Sequence, residues 1–209
     1  FPLITSVTRV QFLYCMCILE MRRREFMKKI VYILIFLISP LSLQAQDYKI
    51  ILFGDSLMAG YGLDSADHLN LYLEKDLQSL NIQSSVTNAS VSGDTTSGGL
   101  NRLNWSLEDD YDLFVLGLGA NDMLRGIAPE ITKTNLSKII DAVLDKDIKL
   151  LLTGMQAPNS YGSGYQQSFI DIYPNLAEEF EISLYPFLLE GVALIPDLNQ
   201  SDGKHPNRE

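Results

Sequence analysis

The chemistry open to this chain is decided by its scarcest side chains. Its two cysteines, Cys15 and Cys17, both fall upstream of residue 46, so the body of the protein has no thiol for a disulfide, a metal cluster or a nucleophile. A covalent mechanism there must use a hydroxyl, which is a weak nucleophile at neutral pH and needs a base, usually a histidine oriented by a carboxylate. Two histidines are present, His68 and His205. His68 lies in DSADHLNLYLEKDL, at the start of an amphipathic stretch without an organised partner, and reads as a surface or capping residue. His205 follows Asp202 by three residues in SDGKHPN, so one short loop can present an imidazole together with the acid that fixes its tautomer.

Ser56, in FGDSLMAGYG, is the hydroxyl that this pair could serve. Taken alone it is equally an ordinary helix N-cap, and His205 alone is equally a surface residue. Ester cleavage also requires donors aimed at the oxyanion, each worth roughly 2.7–4 kcal/mol when removed. Gly93 in NASVSGDTTSGG can bring its backbone close to a ligand, and Asn121 in GLGAND can offer a side-chain amide. Met singly, the first would be a turn glycine and the second a helix cap.

These residues gain weight from the elements that must hold them. The runs KIILF (Lys49–Phe53), LFVLGLG (Leu113–Gly119) and KLLLTGM (Lys149–Met155) read as buried parallel strands, with shorter extended pieces at Val86–Ala89 and Ile182–Pro186. Helical periodicity occupies Leu69–Leu80, Thr96–Trp105, Pro129–Leu144 and Tyr165–Phe180. Such alternation predicts an α/β fold, a three-layer α/β/α sandwich around a parallel sheet, with ligands bound beyond the carboxyl ends of the strands. Ser56, Gly93 and Asn121 each fall just after a predicted strand. The Gly/Ser/Tyr-rich segment Ala157–Gln167 is expected to form a mobile wall of the site.

Other motifs are absent. GLGAND lacks the third glycine of a dinucleotide fingerprint, no phosphate-loop Gly-Lys-Ser/Thr occurs, and Ser56 is outside any Gly-x-Ser-x-Gly elbow. The cluster Glu108-Asp109-Asp110 reads as a solvated turn rather than a cation site.

The segments FGDSLMAGYG, NASVSGDTTSGGL, GLGANDMLRG and DGKHPNR resemble the four signature blocks of the SGNH or GDSL hydrolase family, in its bacterial periplasmic thioesterase, lysophospholipase and arylesterase branch. The resemblance runs from about Lys49 to Arg208. It implies a flavodoxin-like sandwich with Ser56 as nucleophile and Asp202 and His205 completing the triad. It also implies an oxyanion hole made of the Ser56 and Gly93 N–H groups and the Asn121 amide, with no metal or organic cofactor. The implied substrates are acyl esters and thioesters, acted on by a monomer. Two alternatives stay open: a carbohydrate deacetylase of the same fold, and an inactive fragment serving as a binding module.

Upstream, Phe1–Phe26 is a doubtful segment, because Met21 and Met27 are the natural starts. From Met27, Lys28-Lys29, the apolar IVYILIFLIS and the small polar run to Ala45 have the layout of a cleaved signal peptide, and the apolar run is about half the roughly 20 residues of a membrane span. Arg23-Arg24 also fits a twin-arginine signal. Both routes predict a periplasmic or secreted protein without a stable membrane anchor. Residues 46–209 carry 10 basic and 24 acidic residues, a net charge of −14, which disfavours nucleic-acid partners. They form one domain, and HPNRE reads as the first turn of a cut-off helix, so that domain is expected to be truncated at its C-terminus.

Overall fold

A computed structural model describes residues 47–209; the upstream segment 1–26, the leader 27–45 and both cysteines lie outside the described residues. The apolar runs form five strands, β1 (Tyr48–Gly54), β2 (Ser84–Asn88), β3 (Leu113–Gly117), β4 (Lys149–Thr153) and β5 (Ser183–Tyr185). All neighbours are parallel, in the order β2-β1-β3-β4-β5. The helices are α1 (Ser56–Ala59), α2 (Leu69–Ser79), α3 (Thr96–Ser106), α4 (Ala120–Leu124), α5 (Pro129–Leu144), α6 (Ser163–Ile170) and α7 (Ile172–Glu179). Among the described residues no helix is long and apolar enough to cross a membrane.

Strand order dictates the layers. The chain steps one way from β1 to β2 and the other way in every later crossover, and right-handed connections therefore put α2 on one face and α3, α5 and α7 on the other. Side chains sort accordingly, since successive strand residues point to opposite faces. Ile51, Phe53, Phe114, Leu116, Leu150 and Leu152 pack with Leu103 of α3, Leu136, Ile139, Ile140 and Val143 of α5, and Leu176 of α7. Ile50, Leu52, Val86 and Val115 form the smaller opposite cluster, with Leu73 and Leu77 of α2 against it. The expected three-layer sandwich is thus the observed one.

At the reversal of strand order, Gly54 of β1 is paired with Gly117 of β3. A Cβ on either glycine would collide with Met58, which is 1% exposed. The paired glycines thus make a floor on which α1 lies flat against the sheet edge. Gly60, at φ 77°, ends α1 in the left-handed conformation that favours glycine.

Several boundaries depart from the sequence pattern, the fourth strand for instance ending at Thr153 rather than Met155. The single helix expected over Tyr165–Phe180 is two, bent at Asp171, because Pro174 has no N–H for the Ile170 carbonyl and its ring crowds that carbonyl. The third strand stops at Gly117 rather than Gly119, whose φ of 120° turns the chain into α4. At the C-terminus Pro206 bridges to Asn199 and the Asn207 N–H donates to the Leu198 carbonyl, so residues 206–207 run beside the Pro196–Leu198 turn.

Gly154 sits where β4 meets the segment after β5, its N–H donating to Tyr185 and its carbonyl accepting from Leu188. A Cβ there would collide with the Pro186 carbonyl, which is backbone and cannot swing away. Gly154→Ala is expected to lower unfolding free energy by roughly 1–3 kcal/mol in urea titration, whereas Gly164→Ala, with nothing within 4 Å of its Cβ, leaves it unchanged or slightly raised.

Candidate active site

The nucleophile candidate is placed by its neighbour. Asp55 is the N-cap of α1, its Oδ1 accepting the Leu57 N–H at 3.0 Å, so Ser56 is the first helical residue and not the cap that its sequence context equally allowed. Ser56 Oγ therefore stands free at the carboxyl edge of β1, beside the N-terminus of a helix. His205 reaches it from the other end of the chain, with Nε2 2.8 Å from Oγ.

The other face of the imidazole is fixed by Asp202. Its Oδ2 is 2.6 Å from His205 Nδ1, and its Oδ1 accepts the N–H groups of Lys204 and His205 at 2.9 and 3.1 Å. The bond to His205, reinforced by these two backbone donors, holds the Asp202 carboxyl well below the usual carboxylate range. Tyr61 flanks the imidazole with its ring centroid 4.7 Å away, and Gln200 ties this loop down by donating to the Tyr61 and Pro206 carbonyls.

The donor candidates lie at the same sheet edge. Asn121 lies inside α4, two residues past the N-cap Gly119, so it is not a helix cap; its Nδ2 donates to Asp55 Oδ2 at 3.2 Å. Gly93 is in a turn at φ 83° with open space around its α-carbon, and its carbonyl accepts from Arg125 at 2.8 Å. Ser56, Gly93, Asn121 and His205 all line one cleft of about 900 Å³. His68 is elsewhere, half-buried at the N-cap position of α2 without a side-chain cap hydrogen bond, its ring packed against Gly60.

The cleft extends from these polar groups over an apolar surface of Met123, Leu124, Met155, Ala157, Phe187 and Leu189. The segment 157–167 contributes Ala157, Pro158 and Gln166 to the wall. Phe187–Leu194, the opposite wall, has no periodicity or motif that sequence reasoning could use. No group of three or more histidine, cysteine, aspartate or glutamate side chains suited to a metal occurs among the described residues, and Glu108-Asp109-Asp110 is exposed.

Three supporting residues have roles that the sequence reading did not assign, although it placed Asp55 and Asp122 just after strands. Arg102 donates to Asp94, to the Ala89 carbonyl and to the Gly54 carbonyl, and lies 3.9 Å over the Phe53 ring, clamping the ends of β1 and β2 together. A lone charge in the otherwise uncharged helix Thr96–Ser106 was the available signal. Asp122, fully buried, accepts from the Thr96 N–H and hydroxyl and from Thr132, locking α4 to α3 and α5 beside Asn121. Asp55 is the third, and nothing in its tetrapeptide distinguishes a cap from a partner of Asn121.

The chain is similar to known proteins in sequence and fold. The GDSL-like lipase/acylhydrolase family model matches residues 52–209. The arylesterase of Vibrio mimicus is 39% identical over 178 residues, which is 85% of this chain and 88% of that protein. Thioesterase 1/protease 1/lysophospholipase L1 of Escherichia coli K12 is 41% identical over 161 residues, 77% of this chain and 76% of the other. Among solved structures, AlinE4, an SGNH-hydrolase family esterase, superposes with a TM-score of 0.73 at 45% identity, covering 78% of this chain and 87% of its own.

Burial raises the Asp55 carboxyl from 3.8 to about 6, against the opposing effect of the Leu57 and Asn121 hydrogen bonds. The folded protein thus binds this proton more tightly than the unfolded chain, and the contribution of Asp55 to stability falls as pH rises from about 4 to about 6. The stability difference between Asp55→Asn and the parent is expected to move in favour of the variant by up to roughly 3 kcal/mol across that window, measured by denaturant titration at several pH values.

Proposed function

The chain belongs to the GDSL-like lipase/acylhydrolase family and is an esterase of that type, and we propose that it hydrolyses acyl esters and thioesters through Ser56, His205 and Asp202. The observation that carries the reading is the unbroken line from Asp202 Oδ2 to His205 Nδ1 (2.6 Å) and from His205 Nε2 to Ser56 Oγ (2.8 Å).

In this mechanism Ser56 Oγ attacks the acyl carbon while His205 Nε2 takes its proton. Asp202, holding Nδ1–H, keeps Nε2 the basic nitrogen and stabilises the imidazolium. The negative charge moves to the former carbonyl oxygen, where the N–H groups of Ser56 and Gly93 and the Asn121 amide receive it. Collapse expels the alcohol or thiol, protonated by His205, and leaves an acyl-serine. Water, deprotonated by the same imidazole, then attacks the acyl-serine and releases the acid.

The apolar run of the cleft from Met123 to Leu189 supports substrates with medium or long acyl chains, lysophospholipids and acyl-CoA included, over acetylated carbohydrate. We further infer that the protein acts outside the cytoplasm, on the strength of the Lys28-Lys29 and apolar leader pattern ending near Ala45.

Ser56→Ala is expected to abolish both ester hydrolysis and labelling by a fluorophosphonate probe. Asp202→Asn is expected to cut kcat by on the order of 10⁴-fold, through loss of the correct tautomer. A panel of chromogenic esters of increasing acyl length, with acyl-CoA and acetylated xylan, is expected to show kcat/KM rising with chain length; activity confined to acetyl groups would overturn the acyl-chain reading. Mass spectrometry of the exported protein is expected to give Gln46 as its first residue.

A further inference from the structure

Asp55 is a carboxylate in a place where a neutral cap would be less costly. It is 0% exposed, and among the described residues no lysine or arginine pairs with it. A buried charge without a counter-ion is destabilising, and Asn caps a helix as well as Asp does. Capping α1 therefore explains the oxygen that faces Leu57 but not the charge.

The second oxygen supplies the explanation. Oδ2 accepts from Asn121 Nδ2, across 66 residues of sequence and between the ends of two adjacent strands. An asparagine at position 55 could present its carbonyl to Leu57 but would then turn an N–H₂ toward the N–H₂ of Asn121. Only a carboxylate accepts on both sides. With one of its two N–H bonds held by Asp55, the Asn121 amide keeps the other for the cleft that it shares with Ser56 and His205.

We infer that Asp55 is a positioning residue for the hydrolytic reaction: its doubly accepting carboxylate both caps the helix that carries Ser56 and orients the Asn121 amide toward the developing oxyanion. The inference rests on the mechanism given under Proposed function. Protonation of Asp55 removes an acceptor and releases Asn121, so the carboxyl must be ionised for full turnover. The ionisable groups that bear on Asp55 are His205 from the C-terminal loop, Asp122 from α4 and Tyr173 from α7. The first favours the ionised form and the second opposes it.

A double-mutant cycle on a short chromogenic ester tests this, with folding of each variant checked by circular dichroism. Asn121→Ala is expected to lower kcat by ~10²–10³-fold. Asp55→Asn, which keeps the cap, is expected to lower kcat by roughly 10-fold or more with little change in KM, the pattern of an interaction made mainly in the transition state. The double variant is expected to be no slower than Asn121→Ala, because Asp55 acts through Asn121. In the parent, log kcat on the acid side should fall with the slope of two ionisations, and in each single variant with the slope of one. Losses that multiply in the double variant overturn the inference, as does a second ionisation retained in Asn121→Ala. If Asp55→Asn does not fold, the acid limb of Asn121→Ala decides alone. A parent protein with no hydrolysis at all, or one unaffected by Ser56→Ala, instead overturns the proposed mechanism, and the inference with it.

Discussion

The geometry of the site depends on a close approach of two strands at the point where the sheet changes direction. Gly54 and Gly117 face each other there without side chains, and the space they leave is taken by Met58. A four-residue helix has almost no stability of its own, since nucleation alone outweighs its few hydrogen bonds. Met58 anchors α1 by burial, Asp55 caps it at one end and Gly60 closes it at the other. The serine is therefore held by tertiary packing rather than by helix propensity. Because α1 is pressed to the sheet edge, the first residue of the helix stands directly at the mouth of the cleft.

Around that anchor the polar groups are distributed between rigid and local supports. Arg102 gathers carbonyls from the ends of β1 and β2, and the Asp122 network ties α4 to α3 and α5, so the Ser56, Gly93 and Asn121 positions are set by the frame of the sheet. The base is supported differently. His205 and Asp202 are three residues apart, and their loop is tied by the Asn199–Pro206 bridge and by Gln200. Electrostatics divides in the same way: Asp202 keeps its charge easily on a half-exposed loop with three hydrogen-bond donors, whereas Asp55 keeps its charge against the penalty of full burial.

Much of this was legible in the chain because the signals were local. Apolar runs bounded by Gly and Asp marked the strands, and polar residues just beyond them line the cleft, since a parallel sheet puts the ends of successive strands at one edge. Pro129 marked the start of α5 and the pattern ended at its last residue. The Asp55–Asn121 contact was not legible, because it requires β1 and β3 to be neighbours although β2 lies between them in sequence. Arg102 and Asp122 were hidden for the same reason, as their partners lie on other elements. The Phe187–Leu194 wall follows no helix or strand period, and the break at Asp171 was masked by apolar spacing that continues smoothly through Pro174.

The hydrogen bond between Ser56 and His205 spans 149 residues, most of the described chain. On the proposed mechanism, hydrolysis requires the C-terminal loop to be docked against the helix that follows the first strand. Turnover by that mechanism therefore probes a long-range contact that spectroscopic measures of helix or strand content do not report.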